Sequence, residues 1–194
     1  GQYTHAALWA VRALAELGRR DRATRLLEML SPISRALTPE QVAVYRVEPF
    51  AVAADIYGVA PHVGRGGWTW YTGSAGWMLR VTLESILGLE LAEGQALRLR
   101  PCIPDHWPGF RLRYRLPDGE AIYDIEVRNP ERNAKRVAAV AIDERPGAIE
   151  YGAARIPAFR DGAVHRVVVT LAGAAEDRPT ASPASDLKPG DRLA

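Results

Sequence analysis

At 194 residues, with 47% apolar and 25% charged side chains, the chain can bury a sizeable core in one or two domains and is neither disordered nor fibrous overall. A net charge of +2 is too small to recruit nucleic acid or an anionic membrane by itself. No apolar run approaches the roughly 20 residues that cross a bilayer, and no signal-peptide pattern is present.

The single cysteine, Cys102, cannot form an internal disulfide, which fits a reducing, cytoplasmic setting. The sequence begins Gly1-Gln2-Tyr3-Thr4-His5, without a methionine, and enters a helix at once, as expected of a chain cut from something larger. Ala7, Ala10, Val11, Leu14 and Leu17 recur at helical spacing, with Thr4 in the N-cap position and Gly18 as the stop. Asp21 then caps a second helix carrying Ala23, Leu26, Leu27 and Leu30, closed by Ser31-Pro32. The small alanine faces allow close packing, so the pair forms an αα-hairpin. Thr38-Pro39-Glu40-Gln41 has the form of a helix start, and Val52 to Tyr57 that of a further short helix before Gly58. Residues 58–67, with Pro61, Gly64 and Gly66, form a loop. A strong helix is predicted from Ala75 to Gly88, apolar nearly all round and so buried on most sides.

After Leu91 the period changes to two. Leu97 and Leu99, then Phe110, Leu112, Tyr114 and Leu116, alternate with arginines. Pro117-Asp118-Gly119 forms a turn, and Tyr123, Ile125 and Val127 alternate on the returning strand. Val137–Ile142 and Val164–Leu171 form two more strands, the latter preceded by an Asp161-Gly162 turn. Short strands joined by such turns imply an antiparallel sandwich. From Gly173 onward the sequence has the composition of a disordered tail.

One segment concentrates candidate chemistry. Trp68 to Trp77 sets a Thr72-Gly73-Ser74 turn among three tryptophans and a tyrosine, at the mouth of a helix. Exposed amides at a helix N-terminus bind anions, and flat aromatic rings suit the apolar faces of sugars. The same residues also serve an ordinary N-cap (Thr72 or Ser74) beside buried aromatics. His5 opens the first helix, where a neutral or anion-paired imidazole is tolerated, as a phosphate ligand or as a partly buried histidine. His62, His106 and His165 show no metal-ligand spacing and are structural. Glu84 pairs with Arg80 four residues earlier, and Glu48, before Pro49, lies in extended or turn backbone; spacing makes neither a catalytic acid. Arg98, Arg100, Arg111, Arg113 and Arg115 make a basic stripe on alternating strand positions, either a strand face that reads phosphates or, as is expected here, the solvated outer face of a sheet. Arg65, in a glycine loop, either reaches an anion or forms a turn.

Gly1 to Ala7, Val47-Glu48-Pro49-Phe50, Pro61 to Trp77, and Pro101-Cys102-Ile103-Pro104 through Trp107-Pro108-Gly109-Phe110 together resemble the C-terminal portion of the inverting glycoside phosphorylases of glycoside hydrolase family 94. That family includes cellobiose and chitobiose phosphorylases and the phosphorylase-like region of cyclic β-1,2-glucan synthases, the branch that Gly64–Trp77 resembles most. The resemblance runs from residue 1 to about 172.

It implies an α + β chain: residues 1–95 as the last helices of an (α/α)6 barrel, 96–172 as an antiparallel β-sandwich, and 173–194 as a tail. It implies no cofactor, with inorganic phosphate as co-substrate and a β-glucan or oligosaccharide as the other partner. Phosphate attacks the anomeric carbon with inversion while an aspartic acid protonates the leaving oxygen, giving an α-sugar 1-phosphate. The family's histidine and Thr-Gly pair match His5, Thr72 and Gly73, with Ser74 adjacent; Trp68 and Trp70 either wall the sugar site or pack behind it. The general-acid aspartate belongs upstream, so these residues are expected to be inactive without the rest of their parent chain. The rival expectations are a non-catalytic carbohydrate-binding module, and a helical scaffold, against which the lack of an internal repeat argues.

Overall fold

The computed structural model describes residues 1–70, 72–117 and 121–173, with Thr72 described by its backbone alone. The Asp118-Gly119 turn, and the expected tail beyond Gly173, lie outside the described residues.

The chain opens with β1 (Gln2–Tyr3) and runs directly into α1 (Thr4–Glu16). Thr4 is not the cap. Tyr3 flanks the helix, and Thr4 is its buried first residue, donating its amide to the Ala54 carbonyl at 2.8 Å. Strand pairing thus satisfies an amide that a side-chain cap would otherwise serve. Leu8, Val11 and Ala15 form the inward face of α1, whereas Ala10 and Leu17 are exposed. Gly18 ends the helix with φ +67°, as its sequence position implies.

α2 (Arg20–Leu30) follows and packs on α1, giving the expected hairpin. Arg19, not Asp21, flanks its start; Asp21 sits in the first turn, where its charge complements the helix dipole. A single 3-10 turn (Ile33–Arg35) leads to α3 (Pro39–Tyr45). Here the sequence signal holds in full: Thr38 Oγ1 accepts from the Gln41 amide, and the Gln41 side chain accepts from the Thr38 amide.

The short helix expected over 52–57 is not formed. β2 (Asp55–Ile56) pairs antiparallel with β1, setting Gln2 opposite Ile56 and Tyr3 opposite Asp55. Six residues before a glycine are too few to nucleate a helix, and pairing with β1 serves the backbone instead. Residues 58–67 form the predicted loop, tied down at both ends. Tyr57 donates its amide to Arg65 O, and Gly66 donates to Tyr45 O.

α4 (Thr72–Arg80) begins at the Thr-Gly-Ser turn and continues as a π-helical stretch, Val81–Ile86. It is not buried on most sides. Val81 and Ile86 are buried and Trp77 and Met78 half-buried, but Leu79 is 63% exposed because α4 is covered only where it meets α1.

Strand geometry sets in at Leu89. β3 (Leu89–Ala92) and β4 (Ala96–Leu99) make a hairpin. β5 (Gly109–Arg115), β6 (Ile122–Arg128) and β7 (Arg136–Ile142) follow as expected. Then come three short strands that periodicity does not show: β8 (Arg145–Pro146), β9 (Ala148–Glu150) and β10 (Ala153–Pro157). β11 (Val164–Ala172) is last. One sheet has the order β3-β4-β10-β9, the other β5-β6-β11-β7-β8. Among the described residues the pairings are antiparallel except that of β6 with β11, which run parallel, so the antiparallel expectation fails at that seam.

A single buried cluster joins the two sheets to the helices. Leu97, Leu99 and Ile156 enter it from one sheet, Tyr123, Ile125, Val127, Val167 and Val169 from the other, and Leu8, Val11 and Val81 from the helical layer. Each such aliphatic side chain contributes about 1.5–3 kcal/mol through burial. No helix of the described residues is long and apolar enough to cross a membrane.

Candidate functional site

Three separate stretches meet around the start of α1. β1 pairs with β2, Thr4 N bonds Ala54 O, and Ala54 N in turn bonds Trp68 O at 2.7 Å. Gly67 N donates to Asp55 O at 2.9 Å, and a Cβ on Gly67 would stand 1.9 Å from Asp55 Oδ1. Only glycine permits this approach. These contacts fix residues 1–5, 47–56 and 66–70 beside one another.

His5 stands in the middle of this junction. Its ring centre lies 5.2 Å from that of Trp9, 5.6 Å from that of Trp77 and 6.1 Å from that of Tyr3. Through Trp77 the imidazole rests on α4, one turn beyond Ser74. Ser74 is 1% exposed, and its hydroxyl has no hydrogen-bond partner among the described residues. His5 Nε2 is likewise buried without a partner, and so is Gln2 Nε2. Buried polar atoms left unpaired cost about 1–3 kcal/mol each, which makes these three candidates for a polar partner; Asp55 Oδ1, in the same junction, is another buried atom without one among the described residues. The first backbone amides of α4, at Gly73 and Ser74, add the positive end of a helix dipole. No distance links His5 directly to Thr72 or Gly73, and the Thr72 side chain is outside the described set.

Trp68 and Trp70 are 74% and 69% exposed, so neither belongs to the core. Trp68 borders a hollow with Tyr3, Ala54 and Asp55. Trp70 holds a left-handed backbone, φ +62°, which is costly for a bulky residue. Its indole Nε1 reaches Glu48 Oε1 at 3.4 Å and its ring meets Phe50 edge-on at 6.0 Å. The Val47–Phe50 stretch and the tryptophan loop, 22 residues apart at Glu48 and Trp70, therefore form one surface.

Other candidates fall elsewhere. Glu84 accepts from Arg80 at 2.8 Å, as its spacing implies. Arg111 and Arg113 pair with Glu126 and Asp124 on the neighbouring strand, which suits a solvated sheet face, but Arg98 lies on β4 of the other sheet and Arg100 just after it, so the five arginines do not share one face as expected. Arg65 sits in the turn after His62, to whose carbonyl its amide is bonded. No group of His, Cys, Asp or Glu suited to a metal occurs among the described residues. Trp9 and Gln2 went unmarked in the sequence; the signal for Trp9 was its place four residues after His5, on the same helix face.

Residues 1–88 match the model for the glycosyl hydrolase 94 superfamily, catalytic domain. This segment belongs to the glycosyl hydrolase 94 superfamily. The match ends at Gly88, one residue before β3, and contains every residue of the junction just described. The cyclic beta-(1,2)-glucan synthase of Rhizobium meliloti is 46% identical over 140 residues, 72% of this chain and 5% of that protein. The N,N'-diacetylchitobiose phosphorylase of Vibrio proteolyticus is 33% identical over 172 residues, 87% of this chain and 20% of its own length. The solabiose phosphorylase of Paenibacillus borealis is 29% identical over 170 residues, 87% of this chain and 21% of its own. The chain thus spans a small part of each of these relatives, and its likeness to them continues past the family domain into the strands.

Proposed function

We propose that this segment supplies the phosphate site of an inverting glycoside phosphorylase acting on a β-glucan or β-linked oligosaccharide. The observation that carries the reading is that His5 Nε2 and Ser74 Oγ are each buried without a partner among the described residues, on two packed helices, with Ser74 in the first turn of α4. His5, Thr72, Gly73 and Ser74 hold the dianion through charge-assisted hydrogen bonds, and Trp68 and Trp70 offer flat faces to the sugar.

A phosphate oxygen attacks the anomeric carbon while the glycosidic C–O bond breaks and the departing oxygen takes a proton from a carboxylic acid outside these residues. The product is an α-sugar 1-phosphate. Phosphate replaces the activated water of an inverting hydrolase, so the site needs an anion cradle rather than a general base. Residues 1–88 are then the closing helices of an (α/α)6 barrel and the strands from β3 to about residue 172 a sandwich domain, a boundary one strand earlier than the expected residue 95, and the 194 residues alone have no turnover.

The test is to incubate the full-length protein carrying this segment with β-1,2-glucan or β-linked disaccharides and inorganic phosphate, following phosphorus NMR. An α-sugar 1-phosphate signal is expected. Oligosaccharide binding without any phosphate-dependent product would overturn the reading and favour a carbohydrate-binding module.

A further inference from the structure

A cleft runs between the end of α1, the start of α2 and strands β3 and β4, at the opposite end of α1 from His5. Eleven residues of helix, at about 1.5 Å each, put roughly 16 Å between Glu16 and His5. The cleft floor is fixed by backbone. Gly88 has φ +76°, and a Cβ there would stand 2.1 Å from the Arg100 carbonyl oxygen. Arg100 N donates to Gly88 O and Cys102 N to Ile86 O, each at 2.9 Å, while Cys102 Sγ lies 3.5 Å from Ala15 O.

The charges around this floor are unequally served. Glu16, Glu84 and Glu90 each have a cation, Arg12 at 2.9 Å, Arg80 at 2.8 Å and Arg98 at 3.8 Å. Arg20 reaches the Asp105 carboxylate through Nη2, at 3.1 and 3.4 Å, and its Nε is buried without a partner. Arg100 and Lys135 have no ion-pair partner among the described residues. Asp105 also accepts the Ala134 amide at 2.9 Å, so one carboxylate braces both Arg20 and the residue preceding Lys135. Arg20 and Arg100 line the cleft together with Cys102; burial raises the Cys102 thiol pKa, the two guanidinium charges act against that rise, and Asp21 adds to it.

We propose that this cleft binds a compact oxyanion, the phosphate or carboxylate group of a small ligand, between Arg20, Arg100 and Lys135. Guanidinium forks match planar or tetrahedral oxyanions, an ammonium adds a point charge, and the braced floor reduces what must be ordered on binding. The site is separate from the His5 junction and does not depend on its assignment.

The experiment is calorimetric titration of inorganic phosphate into the chain at fixed ionic strength, with acetate as a second probe. Arg100→Gln/Lys135→Gln should weaken one binding event at least tenfold, and His5→Gln should leave that event intact. Acetate binding lost in the same double variant assigns a carboxylate ligand; binding of phosphate alone assigns a phosphate. In the unsubstituted chain, the amides of Gly88, Arg100 and Lys135 should shift in NMR spectra as phosphate is added. Unchanged affinity and stoichiometry in the double variant, loss only in His5→Gln, or no shift at those three amides would overturn the proposal.

Discussion

The imidazole of His5 lies against the indole of Trp77, ring centres 5.6 Å apart and planes tilted by 38°, so the first turn of α1 is held to the second turn of α4. Trp9 completes the group, 5.2 Å from His5 and 5.9 Å from Trp77. The direction in which His5 can present its nitrogens is therefore set by two indoles.

Trp77→Ala should both destabilise the chain and loosen His5. Full loss of a buried tryptophan costs about 3–5 kcal/mol, and a half-buried one about half of that, roughly 2 kcal/mol. Urea unfolding reads the stability loss. Phosphate affinity should fall along with it, whereas Trp77→Phe should recover most of both. Retained phosphate affinity in Trp77→Ala would show that His5 is placed by something else.

Gly88→Ala tests the connection between the family domain and the strands. The positive φ and the 2.1 Å approach to Arg100 O leave no room for a methyl group, and the neighbouring atoms are backbone. A loss of about 3 kcal/mol or more is expected, read as a lowered denaturant midpoint.

His165 is clamped between Asp143 Oδ2 at 2.7 Å and Asp161 Oδ1 at 3.1 Å, under Phe159. Burial of the ring opposes its charge, but the two carboxylate hydrogen bonds outweigh it and the histidine pKa is raised. Asp143 is lowered by its bond from His165, and Asp161 by the Ala163 amide and then by His165. A raised histidine contributes stability below its unfolded pKa of about 6.5, which is lost as pH rises through the folded value. The lowered carboxylates contribute above about 3.9 and lose it as pH falls through their folded values. The clamp therefore acts most between about pH 4 and 6.5. Melting temperature should fall from pH 6 to 8 in the unsubstituted chain and change less in His165→Gln.

The arginine face of β5 should matter little. Arg111→Ala and Arg113→Ala remove surface ion pairs with Glu126 and Asp124, which solvent screens, so the denaturant midpoint should barely move in either variant. Glu126 has its pKa lowered to about 2 by the bond from Arg128 and then that from Arg111, so Arg111→Ala should raise it measurably by NMR titration.

Much of this layout was legible in the residues. The α1–α2 hairpin, the Thr38–Gln41 capping box, the Glu84–Arg80 pair and strands β5, β6, β7 and β11 all carry strong periodic or capping signals. Asp161-Gly162 turns as expected, with Asp161 Oδ1 accepting from the Ala163 amide at 3.0 Å. What failed was short or decided by distant partners. β2 replaced a helix because β1, over fifty residues away, supplies its pairing. β8 to β10 were missed because they are two to five residues long, and β10 opens with two alanines, poor strand formers. In the junction, His5 and Ser74 were visible as candidates, but their shared lack of partners is a property of packing that no local pattern encodes.

The most direct measurement is the phosphate dependence of steady-state turnover in the full-length protein carrying His5→Gln or Ser74→Ala, beside thermal melts of the same variants. The account predicts an apparent phosphate KM raised about tenfold or more in each, equivalent to losing one hydrogen bond to a charged ligand, with little change in melting temperature. An unchanged phosphate KM in both variants would contradict it.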